Sequence, residues 1–148
     1  MKILIFDDNR QDREHLTNCL NSFFENKDIS YQITTCQNKD ELLHDINHYD
    51  FLFLDIELGQ ENGIDLGLQL QTIQHHCHII ITTNYSKYAI DGYKIQAERY
   101  FIKPIHQQEF DLEMNGVIKH YIKDKNYFFD KKICDSKIYI KDILDRKS

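Results

Sequence analysis

The sequence predicts an α/β protein in which a parallel β-sheet carries helices on both faces. Five short apolar runs alternate with segments of helical spacing, which is the pattern of a parallel sheet with crossover helices. The third run, residues 51–54 between Asp50 and Asp55, is apolar at every position and predicts a strand buried on both faces. The 148 residues are 41% hydrophobic, enough for one domain with a substantial core.

Two strand–helix units precede this central strand. Their predicted strands are residues 2–6 and 31–36. Asn9 and Asn38 follow these strands and are expected to cap the next helices, because an Asn side-chain oxygen accepts hydrogen bonds from free N–H groups at a helix start.

The remaining elements are, in order, a third helix from a turn at 61–63 to about Gln74, a fourth strand at 78–83, a short fourth helix at 86–93, a fifth strand at 98–102 and a fifth helix with apolar residues from Phe110 to Tyr121. No glycine-rich fingerprint follows the first strand, which disfavours a dinucleotide-binding fold. Five strands fit a flavodoxin-like (βα)5 doubly wound sheet of order 2-1-3-4-5, whose ligand-binding switch point lies between strands one and three.

Charge and cysteine usage define the general class of protein. Of the net charge of −6, residues 1–118 contribute −10 and residues 119–148 contribute +4. The basic tail is therefore predicted to be a segment separate from the acidic body. The cysteines (Cys19, Cys36, Cys77 and Cys134) are too far apart for a zinc ribbon or a redox pair. No signal peptide is evident, and no apolar run approaches the ~20 residues of a membrane helix. We expect a cytoplasmic protein with reduced thiols and no membrane association.

Polar residues end the predicted strands at the edge where ligands bind: Asp7, Asp8, Asp55, Thr83 and Lys103. Three carboxylates at close range repel one another and need a cation, and an all-oxygen donor set selects Mg²⁺, Mn²⁺ or Ca²⁺. Mg²⁺ commonly shares its ligand shell with a phosphoryl oxygen, and an aspartate can become an aspartyl phosphate. Each residue alone has an ordinary structural explanation, but the combination points to a phosphoryl site.

The motifs that support a family assignment are residues 6–9 (Phe-Asp-Asp-Asn), 54–56 (Leu-Asp-Ile), 62–63 (Asn-Gly), Thr83 and 100–104 (Tyr-Phe-Ile-Lys-Pro). Through them, residues 1–122 resemble the response-regulator receiver family, the CheY-like domains of two-component signalling. The resemblance implies a phosphoprotein that receives its phosphoryl group from a sensor histidine kinase and controls an output, here transcription. It implies no conventional enzyme activity beyond slow self-dephosphorylation.

The same resemblance implies a role for each site residue. Asp55 would be the phosphoacceptor. The Mg²⁺ ligands would be Asp8, Asp55, the backbone carbonyl of Glu57 and, through a water molecule, Asp7. Thr83 and Lys103 would bind the phosphoryl group, Tyr100 would be the aromatic switch residue, and the Lys103–Pro104 peptide bond would be cis. Leu58-Gly59 and Asn84 depart from the common pattern, which has Met-Pro and a small residue there. Thr82 is disfavoured as the switch hydroxyl because alternate strand residues face opposite sides.

Two alternatives stay open. One is an enzyme, flavodoxin-like or phosphatase-like, that uses Asp55 in turnover. The other is a degenerate receiver that acts only as a binding module, although the intact acidic triad argues against it. Residues 75–78 (His-His-Cys-His) are not expected to bind a metal, because consecutive loop residues do not all converge on one ion.

The tail is predicted to be a separate segment, residues 123–148. A polar break at 123–126 precedes short strands at 127–130 and 136–140, which form a C-terminal β extension. Residues 140–144 resemble the opening of a LytTR-type DNA-binding domain, and the pair Tyr88-Ala89 suits receivers of that kind. Two short strands are not stable alone, so we expect DNA binding only through a more complete output domain. The chain would then be a receiver that stops early in its output domain, and homodimer formation on phosphorylation is an open alternative.

Overall fold

The computed structural model describes residues 1–58, 61–73, 75–86 and 94–132, with the backbone alone for residues 58, 61 and 125–132. The chain divides into two compact units. The first comprises residues 1–18 and 30–105, and the second comprises residues 19–29 and 106–148.

The first unit is built on five parallel strands: β1 (Lys2–Phe6), β2 (Gln32–Cys36), β3 (Phe51–Asp55), β6 (His78–Thr83) and β7 (Arg99–Ile102). A two-stranded antiparallel hairpin of β4 (Glu57–Leu58) and β5 (Glu61–Asn62) follows β3. The parallel strands lie in the order β2-β1-β3-β6-β7. This is the predicted order 2-1-3-4-5, and the flavodoxin-like fold is confirmed.

The strand register brings the predicted site residues to one edge of the sheet. The pairs at this edge are Phe6 with Leu54, Asp55 with Thr82, and Thr83 with Ile102. Asp7 and Lys103 therefore directly follow β1 and β7. Asp55 and Thr83 are the last residues of β3 and β6. The polar residues meet there because the apolar run of each parallel strand ends at nearly the same level.

Four α-helices have described bounds: α1 (Arg10–Phe24), α2 (Lys39–Asp45), α3 (Gly63–Gln71) and α4 (Gln107–Lys132); a short 3-10 helix (Ile46–His48) follows α2. The Asn9 side-chain oxygen accepts a hydrogen bond from the Asp12 backbone N–H at 3.0 Å, and Asn38 caps α2 in the same way. Both predicted N-caps are thus confirmed, and they satisfy donors that a helix start leaves free. None of the helices in the described ranges is long and apolar enough to cross a membrane.

The core of the first unit surrounds β3, in which all five residues are buried. Apolar side chains of α2 and α3, including Leu42 and Leu70, pack with those of the central strands on one face of the sheet. Gly63 starts α3 against the backbone of β3. A Cβ atom on Gly63 would lie 2.3 Å from the Asp55 carbonyl oxygen, so only glycine fits this position without movement.

The second unit contains the end of α1 and helix α4. The rings of Phe23 and Phe110 meet edge to face, with centroids 6.2 Å apart. The Gln107 side chain donates to the Cys19 carbonyl oxygen at 3.1 Å, near the start of α4. This unit therefore combines aromatic packing with a side-chain bond to the α1 backbone.

The tail differs from the prediction. Helix α4 continues to Lys132, so the predicted break at 123–126 and the predicted strand at 127–130 are wrong. Residues 123–126 contain no glycine or proline and include two lysines, which favour helix, and an existing helix extends at little cost. The predicted strand at 136–140, the LytTR-like segment at 140–144 and most of the predicted fourth helix lie outside the described residues. The domain boundary at residue 122 stays a prediction.

Two further differences lie beside the site. Helix α3 ends at Gln71 rather than near Gln74, and the turn predicted at 61–63 contains strand β5. Strands of two residues have no detectable apolar alternation, so the sequence gives no signal for the β4–β5 hairpin.

Candidate functional site

Three aspartates gather at the carboxyl ends of β1 and β3. Carboxylate oxygens of Asp7, Asp8 and Asp55 all lie within 4.8 Å of one another. Asp7 and Asp55 are buried, at 3% and 2% exposure, whereas Asp8 is exposed to solvent. The site therefore has a buried floor and one carboxylate at its mouth.

Lys103 places one cation among these carboxylates. Its ammonium group lies 2.9 Å from Asp7 Oδ2, 2.8 Å from Asp12 Oδ2 and 3.3 Å from Asp55 Oδ1, and its side chain is only 8% exposed. Burial lowers the pKa of Lys103, but hydrogen bonds to Asp12 and Asp7 and the charge of Asp55 outweigh burial, so the pKa is raised. Lys103 is a fixed positive charge at neutral pH.

Asp12 was not predicted as a site residue. It lies in the first turn of α1, where its side chain reaches back to Lys103. The available signal was its position three residues after the N-cap Asn9. That signal alone has an ordinary explanation, since acidic residues favour the first turn of a helix.

The pKa of Asp55 is raised by its place in the cluster. Burial raises its pKa from the ordinary 3.8 to about 7, Lys103 opposes this rise, and Asp7 adds to it. Its Oδ1 also accepts a hydrogen bond from the Glu57 backbone N–H at 3.1 Å. A single lysine thus leaves the cluster short of positive charge, which is the electrostatic condition for binding a cation.

Hydrogen bonds to both the side chain and the backbone of Asp7 hold it in place. Its Oδ1 accepts a hydrogen bond from the Asn9 N–H at 2.9 Å, and its carbonyl oxygen accepts one from the Arg13 guanidinium at 3.0 Å. These bonds fix the β1–α1 turn, so the Asp7 carboxylate stays oriented towards Lys103.

Thr83 and Asn84 face the site from the end of β6, and both donate to the side chain of Glu57. The Thr83 hydroxyl donates to Glu57 Oε1 at 2.9 Å, and the Asn84 backbone N–H donates to the same oxygen at 2.6 Å. The Asn84 amide nitrogen lies 3.4 Å from Oε2. Burial raises the pKa of Glu57, but the hydrogen bonds from Asn84 and Thr83 together lower it by more, so the net pKa is below its ordinary value.

The resemblance implies a role for the Glu57 backbone but none for its side chain, and Asn84 enters the sequence prediction only as a departure from the family pattern. Both contacts are made from the β4–β5 hairpin, which contains Glu57, and no sequence pattern predicts this hairpin.

The other predicted residues lie as follows. Tyr100 is half-buried on β7, and its hydroxyl donates to the Tyr85 carbonyl oxygen. The Lys103–Pro104 peptide bond is cis, the form that the resemblance implies. Thr82 and Thr83 are both buried, and the Thr83 hydroxyl is the one bonded to Glu57.

The histidine cluster before β6 forms no metal-binding group. Within the described ranges, only the group of Asp7, Asp8 and Asp55 has three ligand atoms close enough to hold an ion. His78 instead pairs its Nδ1 with Glu98, and its ring lies 5.3 Å from that of Phe51. That residues 75–78 bind no metal stays a prediction.

Comparison with known proteins identifies the family to which the chain belongs. Residues 3–115 match the response regulator receiver domain family. The chain is 35% identical over 126 residues to the transcriptional regulatory protein LytR of Staphylococcus aureus strain N315, covering 85% of this chain and 50% of that protein. The chain thus spans about half the length of the curated relatives it matches.

Solved structures share the fold. The response regulatory domain of mrkE from Klebsiella pneumoniae superposes with a TM-score of 0.70 at 19% identity, covering 83% of this chain and 99% of that one. A response regulator of Burkholderia pseudomallei, solved with a phosphorylated aspartic acid, a calcium ion and citrate, gives a TM-score of 0.58 at 26% identity, covering 73% and 62% of the two chains. This chain belongs to the response regulator receiver family and is homologous to LytR transcriptional regulators.

Proposed function

We propose that Asp55 is the phosphoacceptor of this receiver and that a sensor histidine kinase supplies the phosphoryl group. The observation that carries this proposal is the surroundings of Asp55. It is a buried carboxylate at the end of the central strand, with two further aspartates within 4.8 Å and Lys103 at 3.3 Å. The phosphorylated aspartic acid in the Burkholderia pseudomallei relative supports the same chemistry.

The acidic cluster fits a divalent cation, which we propose is Mg²⁺. All donors are oxygens, and three carboxylates against one buried lysine leave an excess of negative charge. Asp8 and Asp55 would bind the ion with their side chains, Glu57 with its backbone carbonyl and Asp7 through a water molecule. When bound, Mg²⁺ screens the carboxylates and neutralises negative charge on the transferred phosphoryl group.

The proposed transfer uses the chain's own residues in defined roles. An Asp55 carboxylate oxygen attacks the phosphorus of a phosphohistidine, and a new O–P bond forms as the P–N bond breaks. The imidazole nitrogen keeps the electron pair and takes a proton from solvent. Lys103 and the Thr83 hydroxyl hold the phosphoryl oxygens, because both are donors at the same sheet edge.

Thr83 and Tyr100 are proposed to transmit the signal. A phosphoryl group on Asp55 would favour the state in which Thr83 donates to it and the Tyr100 ring turns inward, a shift between two populations. The Thr83→Ala variant should keep its phosphoryl group and lose the coupling between phosphorylation and partner binding. Unchanged coupling, measured as partner affinity with and without phosphodonor, would exclude this route.

The output is proposed to be transcription through a segment beyond the receiver. LytR of Staphylococcus aureus carries the description of a transcriptional regulatory protein, and this chain covers half of it. Residues 1–122 would be the receiver and residues 123–148 the connection to a DNA-binding domain. The 148-residue chain alone should not bind DNA specifically, and a phosphorylation-dependent shift of a promoter fragment would contradict this assignment.

One experiment separates the receiver from an enzyme that uses Asp55. The protein is treated with acetyl phosphate and Mg²⁺ and analysed by intact mass, beside Asp55→Asn. A receiver gains one covalent phosphate, which Asp55→Asn does not. Multiple turnover of a phosphate ester would favour a phosphatase instead, and uptake at the wild-type rate by Asp55→Asn would refute the acceptor.

A further inference from the structure

The Glu57 carboxylate is held by donors at the end of β6, the strand that pairs with the strand of Asp55. Its Oε1 accepts hydrogen bonds from both the Thr83 hydroxyl and the Asn84 backbone N–H, at 2.9 and 2.6 Å. The Asn84 side-chain amide lies 3.4 Å from the other oxygen. Glu57 is half-buried, and the three donors around its carboxylate form an anion-binding cradle.

This cradle is beside Asp55 by covalent constraint. Glu57 is only two residues further along the chain, and its backbone N–H is bonded to Asp55 Oδ1 at 3.1 Å. Strand pairing places Asp55 opposite Thr82, the residue before Thr83. The Thr83 hydroxyl, which the proposed function assigns to the phosphoryl group on Asp55, is thus already bonded to the Glu57 carboxylate.

We propose that the Glu57 side chain is an internal anion that occupies part of the phosphoryl cradle in the unphosphorylated protein and must leave it when Asp55 is phosphorylated. This inference rests on the proposed function. Two anions do not share one hydroxyl and one N–H at short range, because each donor hydrogen serves one acceptor well and like charges repel. Glu57 is thus a positioning residue that opposes phosphorylation.

The device needs no movement of the backbone. Glu57 pairs with Asn62 in the β4–β5 hairpin, and its backbone carbonyl is the proposed metal ligand. A rotation of the side chain out of the cradle frees Thr83 and Asn84 and leaves the hairpin in place. The side chain and the backbone of Glu57 therefore act in opposite senses, the first against phosphorylation and the second in support of it.

Two variants separate the charge of Glu57 from its shape. Glu57→Gln keeps the size and one acceptor oxygen but removes the charge, and Glu57→Ala removes both. With acetyl phosphate, an Asp55 oxygen forms the bond to phosphorus, the P–O bond to the acetyl group breaks, and acetate leaves with the electron pair. We expect the phosphorylation rate to rise in the order wild type, Gln, Ala, with the alanine variant on the order of tenfold faster, the effect of removing one charge-assisted competitor.

The matched control is Glu14→Gln, which removes the same charge from the exposed face of α1, where Glu14 pairs with Arg10. It should phosphorylate at the wild-type rate. Thermal melts compare the folding of all variants, and the glutamine variant carries the test if the alanine variant does not fold.

A second readout does not depend on phosphoryl transfer. Beryllofluoride with Mg²⁺, a phosphoryl analogue, is titrated into each protein and followed by the amide proton shift of Asn84 in NMR spectra. In the free proteins, loss of the Glu57 carboxylate should move this signal upfield. In the wild type the analogue should replace the Glu57 carboxylate as the anion beside Asn84. It should bind about tenfold more tightly to Glu57→Ala than to the wild type.

The outcomes distinguish the inference from the function on which it rests. Faster phosphorylation and tighter analogue binding in both Glu57 variants, with Glu14→Gln unchanged, support the inference. Phosphorylation of Asp55 at equal or lower rates in the Glu57 variants overturns the inference and leaves the proposed function intact. Absence of phosphorylation and analogue binding in wild type and every variant overturns both.

Discussion

The Asp55→Asn substitution is expected to stabilise the metal-free protein above pH 7. Burial raises the pKa of Asp55 from 3.8 to about 7, against the opposing charge of Lys103 and with the support of Asp7. The folded state therefore holds this proton more tightly than the unfolded state does. By linkage, the contribution of Asp55 to the stability of the wild type falls as pH rises from about 4 to about 7 and then levels off.

The size of the effect follows from the pKa. Each tenfold change in proton affinity corresponds to about 1.4 kcal/mol, so the ionised Asp55 disfavours folding by up to about 4 kcal/mol at pH 8. Asparagine removes this charge and keeps an oxygen for the Glu57 N–H. The substitution also removes the 3.3 Å ion pair between residue 55 and Lys103, while Lys103 retains its ion pairs with Asp7 and Asp12. We therefore expect a net gain of about 1–3 kcal/mol.

Urea unfolding in the presence of a chelator measures this difference at several pH values between 4.5 and 8. The advantage of Asp55→Asn should be largest at pH 8 and should shrink as the pH falls towards 4.5, where the wild-type carboxyl is protonated in the folded state. Glu14→Gln, an exposed charge removal on α1, should show no such trend. A variant no more stable than the wild type at pH 8, or an advantage that does not depend on pH, would refute the reasoning.

Three further predictions concern the same edge of the sheet. Saturating Mg²⁺ should raise the Tm of the wild type through binding to the native state, and Asp8→Asn should reduce that rise; equal shifts in thermal melts would count against the site. Lys103→Ala should destabilise the protein by about 3 kcal/mol in urea unfolding, because buried Asp7 and Asp55 lose their cation, and a loss below about 1 kcal/mol would contradict this. Gly63→Ala should cost about 2–4 kcal/mol, because its Cβ would lie 2.3 Å from a carbonyl oxygen; a neutral result would contradict the close approach.

The strand order and the polar edge of the sheet follow from the sequence for one physical reason. Strands buried on both faces require uninterrupted apolar runs, so the first charged residue after each run marks the strand end. Asp7, Asp55 and Lys103 were predicted together in this way, and the structure places a carboxylate oxygen of each aspartate within 3.3 Å of the Lys103 ammonium group. The ends of the apolar runs are enough to predict which of these residues meet at the sheet edge.

The rest of the site depends on side-chain directions that periodicity does not encode. Asp12 reaches Lys103 because α1 begins directly after the β1 turn, and Glu57 reaches Thr83 and Asn84 because a two-residue strand directs it there. Both residues have common structural roles in other settings, so composition and spacing give no reason to select them.

The tail shows the opposite failure, in which a local pattern was given too much weight. Residues 123–126 are polar, and their polarity predicts the end of the helix. Polarity alone does not stop a helix without a glycine, a proline or a capping geometry, and α4 continues to Lys132.

The most direct test of the central claim is to locate the phosphoryl group on the chain. The protein is incubated with acetyl phosphate and Mg²⁺, and the acyl phosphate is then reduced with borohydride, which converts a phosphorylated aspartate to homoserine. Peptide mass spectrometry should find homoserine at residue 55 only in the sample treated with phosphodonor. Homoserine at another aspartate, or none at residue 55 in a sample whose intact mass has gained phosphate, would contradict the assignment of Asp55 as the phosphoacceptor.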